Sequence, residues 1–365
     1  MPDLTLGVEE EYMIIDPKTL ELSSETGAML AEAEDTCGDN VKPEFHTAVV
    51  EVITDVCANL DELGDHLRDL RRKVIGIAEK HDLLIGAAGT HPSTHWKDVV
   101  LTSSPRYSRI LNNLQDIARA NLIYGMHCHV GIEDPEARIH VMNAARYFLP
   151  HFLALSSSSP MWQGKPTGHM STRTHIFKRF PRTGVPDYFA DHDEFLRYVD
   201  LLVKTGCIDN AKMIYWDIRP HPFYPTIEFR VCDVPTRVEE TLGIVAFFQA
   251  VVHKLLDLYQ NDLGHRLYRR ALINENVYRA ARYGLTGNFI DFQKSVERPT
   301  STVIMEVCEF LRPDFQECGT EDYIEVIESI VRGGSSAQRQ IACFEKTNDA
   351  AKVTQQLIDE TSEGV

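Results

Sequence analysis

Apolar and polar residues alternate over residues 4–15 and again over Ala48–Val56, the period of two expected of strands with one buried face. Asn59-Leu60-Asp61-Glu62 then reads as a capping box. It opens a helix whose apolar residues, Leu60, Leu63, Leu67, Leu70, Val74 and Ile77, recur at helical spacing. Leu83–Ala88 is a short apolar strand that ends in Gly89-Thr90-His91-Pro92. Ser104-Pro105 starts a helix predicted to run to about Ile123, and the segment around His127 and His129 returns to a strand. Asp134-Pro135 caps the next helix, which Pro150 should kink or break.

Residues 156–187 have no clear period and are rich in Ser, Pro, Gly and Thr. A segment this long inside a domain is usually functional or disordered. Its Trp162, Ile176, Phe177 and Phe180 argue for order. A helix near 192–205 ends at Gly206, strands follow at Met213–Arg219 and Thr226–Asp233, and Pro235-Thr236 begins a helix to about Tyr259. The remaining residues read as wholly helical. Strands that alternate, instead of being solidly apolar, predict an α+β fold: an antiparallel sheet with helices over one face. The expected organisation is one domain over 1–365, with a sheet-containing core at 1–262 and a helical part at 263–365.

Composition narrows the classes. The 365 residues are 43% hydrophobic and 25% charged, ordinary for a soluble globular chain. A net charge of −17, from 37 basic and 54 acidic residues, argues against non-specific nucleic-acid binding and against anionic membrane surfaces. Against that background Lys165, Arg173, Lys178, Arg179 and Arg182, with no acidic residue from Gly164 to Pro186, invert the charge locally. Met1-Pro2-Asp3-Leu4 does not resemble a signal peptide, and no apolar stretch of about 18 residues predicts a membrane span. The eight cysteines are scattered without a CxxC and are expected to be reduced thiols in a cytoplasmic protein.

Three segments carry metal- or phosphate-capable side chains at i, i+2: Glu9/Glu11, His127/His129 and Glu228/Arg230. On a strand each pair shares one face. Glu9 and Glu11 suit Mg²⁺, or are glutamates of a solvated edge strand. Glu44 and Glu51 flank and interrupt an apolar run, where a carboxylate is either metal-bound or paired with an arginine. The HxH pair suits a transition metal, or is two hydrogen-bonded core histidines. Arg230 beside Glu228 fits phosphate binding, since guanidinium pairs bidentately with phosphate, or is a plain ion pair. Asp217 and Arg219 repeat the spacing, with local pairing the stronger reading there. Ser171 and Arg173 in the basic segment are candidates for contacting phosphate, or belong to a solvated loop. Cys128, of opposite parity to the histidines, belongs to the core. There is no P-loop, no GxGxxG after a strand and no GxSxG elbow, so any nucleotide must be held by metals and arginines.

Several blocks together resemble one family. They are Gly7-Val8-Glu9-Glu10-Glu11, Lys42-Pro43-Glu44 with Val50-Glu51-Val52-Ile53-Thr54, Gly89-Thr90-His91-Pro92 and Gly125-Met126-His127-Cys128-His129-Val130-Gly131. Ala154-Leu155-Ser156 to Ser159-Pro160, Trp216-Asp217-Ile218-Arg219-Pro220, Thr226-Ile227-Glu228-Phe229-Arg230 and Ala280-Ala281-Arg282-Tyr283-Gly284-Leu285 complete the set. In this order they resemble the glutamate–cysteine ligase type 2 family, the carboxylate-amine ligases; Tyr278 stands where that family more often has Trp.

The resemblance implies a single catalytic domain with a glutamine-synthetase-like fold, a curved antiparallel sheet with helices on its outer face and a helical C-terminal region. It implies ATP and two or three Mg²⁺ ions, with Mn²⁺ as a substitute, and small-molecule substrates: L-glutamate and an amine such as L-cysteine. Glu9, Glu11, Glu44, Glu51, His127 and Glu228 are then metal ligands, and Arg173, Arg230 and Ser171 contact the phosphates. The implied reaction forms a γ-glutamyl amide through an acyl phosphate, releasing ADP and phosphate. A homodimer is the assembly left open. The competing expectations are a transition-metal amide hydrolase built on His127/His129, and a family member that has become a binding module.

Overall fold

Alternation in the first segment produces β1 (Leu6–Ile15), the strand around which the sheet of this computed structural model is built. Residues 4–365 are described; of Met1-Pro2-Asp3-Leu4, read above for a leader, the first three lie outside them. In chain order, β1 is followed by α1 (Gly27–Cys37), β2 (Val41–Pro43), β3 (Val49–Ile53), α2 (Leu60–Lys80) and β4 (Leu84–Gly86). Then come α3 (Pro105–Leu114), α4 (Asp116–Arg119), β5 (Gly125–Gly131), α5 (Pro135–Ala145) and α6 (Leu149–Ser156). The Ser/Gly/Pro-rich segment holds β6 (Met161–Trp162), β7 (Lys165–Pro166), α7 (Thr172–Phe177) and β8 (Thr183–Gly184). After α8 (His192–Lys204) come β9 (Tyr215–Trp216), β10 (Ile218–Pro220), β11 (Thr226–Asp233) and α9 (Val238–Gln260). The C-terminal part has α10 (Arg270–Tyr283), β12 (Asn288–Asp291), β13 (Val296–Pro299), α11 (Thr300–Phe310), α12 (Arg312–Glu317), α13 (Tyr323–Gly333), α14 (Ser336–Thr347) and α15 (Ala350–Thr361).

The main sheet is antiparallel throughout, in the order β10-β11-β5-β1-β3-β2. β4 also pairs with β1; Met13 faces Val49 on one side and Gly86 on the other. Even-numbered residues of β1 and β5 and their counterparts on β11 point to the helices: Leu6, Val8, Met126, Cys128, Val130, Ile227 and Phe229 are all buried. α9 runs beneath them, with Phe248 stacked 4.0 Å from Phe152 and 4.3 Å from Phe229 between ring centroids. Each such side chain contributes about 1.5–3 kcal/mol on burial. α9 is long and apolar enough to cross a bilayer, contrary to the sequence expectation, but 83% of its most apolar stretch is buried against the sheet and the surrounding helices.

Glu10, between the two upward glutamates of β1, points down into this core and is fully buried. Arg71 of α2 meets it with Nη2 2.7 Å from Oε1 and Nε 2.8 Å from Oε2. Tyr12 and Thr241 donate to the same carboxylate, and Arg71 Nη1 donates to the Thr236 carbonyl at 3.0 Å. One buried ion pair thus ties β1, α2 and the start of α9.

Several boundaries differ from the sequence expectation. The helix begun at Pro105 stops at Leu114 because Gln115 takes a φ of 50°, and only the short α4 follows. The predicted strand at Met213–Arg219 is broken at Asp217: β9 pairs in parallel with β8, whereas β10 joins the main sheet. The C-terminal part is not wholly helical; β12 and β13 form a hairpin in which Phe289 is buried and Val296 is exposed, too little alternation to mark strands. At the start of α2, Asn59 accepts from the Glu62 N–H as expected, but Glu62 reaches the N–H of Ala58 instead of completing the box on Asn59. Pro150 does break its helix: α5 ends at Ala145, a 3-10 turn follows, and Pro150 sits in the first turn of α6.

Removing one partner of a buried ion pair leaves the other charge unpaired, at about 3–5 kcal/mol. Arg71→Met is therefore expected to lower unfolding free energy by that order in chemical denaturation, with the cleft residues untouched; a loss below about 1 kcal/mol would refute the role given to this pair.

Candidate functional site

The odd residues of β1 face away from the helices, and the register places their neighbours. Glu9 lies between His127 of β5 and Ile53 of β3; Glu11 lies opposite Glu51; His129 lies opposite Gly7 and Glu228; Arg219 of β10 lies opposite Glu228. His127 Nδ1 is 2.9 Å from Glu9 Oε2. His129 Nε2 is 3.4 Å from Glu9 Oε1, an ion-pair distance without hydrogen-bond geometry, and its Nδ1 is 3.1 Å from Thr226 Oγ1. Glu228 is held by Arg219, Nε at 2.6 Å and Nη2 at 3.2 Å, and by Arg230 Nη1. A bulge in β11 between Phe229 and Cys232 re-aims Arg230, whose backbone N–H donates to the Asp217 carbonyl at 2.8 Å and whose Nη1 reaches within 3.4 Å of His127 Nδ1.

Beyond Glu11 the floor deepens into a recess of about 70 Å³ that Glu11, Glu44, His127, Arg173 and Arg230 line. α7 delivers Arg173. Its N-cap, Ser171, accepts from the Thr174 N–H and donates to Asp233 Oδ1 at 2.8 Å. Asp233 also binds Ser159 Oγ at 2.7 Å, and Ser159 in turn accepts from the Arg173 N–H at 3.0 Å. Ser171 is fully buried and does not line the cleft; the expected phosphate contact is corrected to a support for α7. The Arg173 side chain passes over Gly125, where a Cβ would lie 2.2 Å from Nη2, so any larger residue there would displace the guanidinium. Arg173 Nε and Arg230 Nε are buried without hydrogen-bond partners.

The wider cleft, about 480 Å³, holds Glu9, Glu11, Glu44, Glu51, His127, Glu228 and Arg230 together. Its walls are Tyr107 of α3, Phe177 and Phe180 by α7, Tyr215, and the His221–Tyr224 turn, none of which strand periodicity could mark. Arg219 pairs with Glu228 and not with its sequence neighbour Asp217.

Charge divides this face in two. Burial would raise the Glu228 carboxyl, but Arg230 and Arg219 hold it well below the ordinary range. Burial is likewise outweighed at Glu9 by the hydrogen bond with His127 and the close approach of His129. Burial and Arg230 push His127 down to about 4, whereas the nearby Glu9 and Glu228 carboxylates overcome burial and raise His129. On the other half, burial and Glu44 lift Glu11 to about 7, and burial with Glu44, Glu9 and Glu11 lifts Glu51 well above the usual range. Glu44 is raised by burial too. These carboxyls lack balancing charge, which a divalent cation would supply. Donor atoms of Glu9, His129 and Glu228 lie within 4.8 Å of one another, so the geometry draws in His129, the histidine given less weight from the motif. A donor set dominated by carboxylate oxygen suits Mg²⁺ or Mn²⁺ better than zinc.

Between the ordinary carboxylate value and about 7, folded Glu11 keeps a proton that the unfolded chain has released. Stability of the metal-free protein should therefore fall, by on the order of 2 kcal/mol, as pH rises through that window. Saturating Mg²⁺ should cancel the fall, and Glu11→Gln should flatten it; thermal melts from about pH 5 to about pH 8 decide, and a pH-independent metal-free melt would contradict the assignment.

Residues 5–359 match the model of glutamate–cysteine ligase family 2. A relative from Solibacter usitatus, provisionally named glutamate–cysteine ligase 2, is 46% identical over 365 residues, covering 100% of this chain and 95% of its own. A namesake from Sorangium cellulosum is 46% identical over 363 residues, covering 99% and 97%. Among solved structures, the glutamate–cysteine ligase of Francisella tularensis in complex with AMP superposes with a TM-score of 0.71 at 14% identity, over 99% of this chain and 89% of that one. A bifunctional glutathione synthetase from Pasteurella multocida gives 0.74 at 12% identity, over 98% and 52%. The fold is thus the expected antiparallel sheet with helices on its outer face, and it is shared with these solved ligases. With that fold, and with the family match running almost end to end, the chain belongs to glutamate–cysteine ligase family 2.

Proposed function

We propose that this protein is an ATP-dependent carboxylate–amine ligase that joins the γ-carboxylate of L-glutamate to an amine, nominally L-cysteine, through an acyl phosphate. The observation that carries the reading is the recess in which two arginines, each with a buried and partnerless Nε, adjoin the Glu11 and Glu44 carboxyls, which form no ion pair among the described residues. The AMP in the Francisella tularensis ligase supports a nucleotide in this fold.

Bound Mg²⁺ would neutralise phosphate charge as it develops. Glu9, Glu228 and a histidine would hold it on one half of the floor, and Glu11, Glu44 and Glu51 on the other. Arg219 keeps Glu228 in place by its two-pronged pair. Arg230 and Arg173 point N–H groups at the space where a phosphoryl group would pass, donors set before charge develops. A glutamate carboxylate oxygen attacks the γ-phosphorus and ADP departs. The amine nitrogen then attacks the acyl carbon and phosphate departs. No side-chain nucleophile is called for, and Cys128, between the histidines, is buried on the opposite face. A cytoplasmic setting belongs to the same proposal, supported by eight cysteines that are all free thiols.

Arg230→Ala and Glu51→Gln should each lower Mg-ATP-dependent phosphate release at least about 100-fold while leaving the melting temperature nearly unchanged. The assay is phosphate release with L-glutamate against a panel of amino acids and amines. Wild-type-like turnover in both variants would sink the site, and no stimulation by any acceptor would sink the donor.

A further inference from the structure

α3 forms a wall of the cleft without burying any of its residues. Tyr107, Ile110, Leu111 and Leu114 recur at i, i+3, i+4 and i+7, a stripe that normally seeks a core, yet no residue of α3 is buried. Its attachments are slight. Arg109 Nη1 meets Asp209 Oδ2 at 2.9 Å with both side chains largely exposed, and the Tyr107 hydroxyl donates to the Pro43 carbonyl at 3.4 Å. The stripe borders two hollows, the cleft and a side groove of about 400 Å³, which meet at Arg106, Ile110, Lys212 and Tyr215.

Arg106 makes no ion pair or hydrogen bond among the described residues. It occupies the first turn of α3, where a cation opposes the helix dipole and no acidic residue offsets it. Its charge is felt at the Glu44 carboxyl. Of the other cations at the cleft, Arg219 and Arg230 hold Glu228, Lys212 Nζ lies 4.8 Å from the centre of the Phe223 ring, and Lys42, an ammonium without the planar fork of a guanidinium, lines the opposite side. A guanidinium that rests 5.6 Å from the centre of the Tyr107 ring but has no ion pair or hydrogen bond among the described residues, above a floor of carboxylates, suits a substrate anion that must stay out of the recess.

We propose that Arg106, carried on α3, binds the α-carboxylate of an amino-acid substrate at the mouth of the cleft. Guanidinium matches carboxylate with two parallel hydrogen bonds. The inference rests on the ligase reading, in which the reacting γ-carboxylate goes to the recess and an α-carboxylate lies outward. The same chemistry is present in the donor and in an amino-acid acceptor.

The test is calorimetric binding to the full chain, with Mg²⁺ and a non-hydrolysable ATP analogue, of two matched pairs that differ by the α-carboxylate. L-Glutamate against γ-aminobutyrate probes the donor, and L-cysteine against cysteamine probes the acceptor. In one pair wild type should bind the carboxylate member roughly 10- to 100-fold tighter, and Arg106→Gln should abolish that preference without altering affinity for the decarboxylated member or for the nucleotide. Arg106→Lys should keep part of it, having the charge without the fork. The pair that responds identifies the substrate. The proposal is overturned if wild type shows no preference in either pair, if the preference survives in Arg106→Gln, or if both members weaken equally. Phosphate release by wild type is measured separately: its absence beside an intact, Arg106-dependent preference removes the ligase reaction and leaves the carboxylate site standing.

Discussion

Three consecutive glutamates on a central strand cannot share a face, and the structure turns on how they are divided. Glu9 and Glu11 rise into the cleft while Glu10 is driven into the core. A carboxylate fully removed from water persists only if it is paired and hydrogen-bonded. Arg71, Tyr12 and Thr241 meet both conditions. The arrangement also fixes register. A slip of one residue would carry Glu9 and Glu11 into the apolar layer and Glu10 into the cleft, with no Arg71 to receive the first two. The pair that never touches the cleft therefore decides which carboxylates are in it.

The same reasoning explains the asymmetry of the floor. On the β5, β11 and β10 side each acid has a base: Glu9 has His127 and His129, and Glu228 has Arg219 and Arg230. On the β1, β2 and β3 side, Glu11, Glu44 and Glu51 face one another, and burial raises all three carboxyls. Such a half-floor is costly unless something multivalent and positive sits over it. The two halves differ chemically although both are built of strand-borne glutamates, because the bulge in β11 turns Arg230 towards one half and α7 lays Arg173 along the edge of the other.

What could be read from the sequence follows from what is local. Strand period alone put Glu9 with Glu11, His127 with His129 and Glu228 with Arg230 on shared faces, and the capping residues at Asn59, Ser104 and Asp134 begin helices where expected. What could not be read is non-local. Ser171 has the composition of a phosphate contact, but its hydroxyl is spent on Asp233, a residue 62 positions away. Choosing between His127 and His129 depends on which faces Glu228 across β5 and β11, and motif spacing is silent on pairing between strands. Glu10 and Arg71 are 61 positions apart, so neither reads as a partner of the other. The β12–β13 hairpin has little apolar alternation because it covers the core with Phe289 alone. Gln115 ends α3 by a backbone conformation that its residue type does not announce.

Floor and wall are held by different kinds of interaction, and that difference has a functional meaning. Glu9, Glu11, Glu51, His127, His129 and Glu228 each stand on a strand with hydrogen-bonded neighbours on both sides, over the core. α3 rests on a surface ion pair, one long hydrogen bond and a half-covered stripe. Phosphoryl transfer tolerates little displacement of the donors that meet developing charge, so it belongs on the rigid part. Recognition of the part of a substrate remote from the reacting atoms can be placed on an element that is cheap to move and cheap to alter. Under the role proposed for Arg106, a residue on α3 can change which amino acid or amine is accepted without disturbing Glu10, Arg71 or the register they enforce.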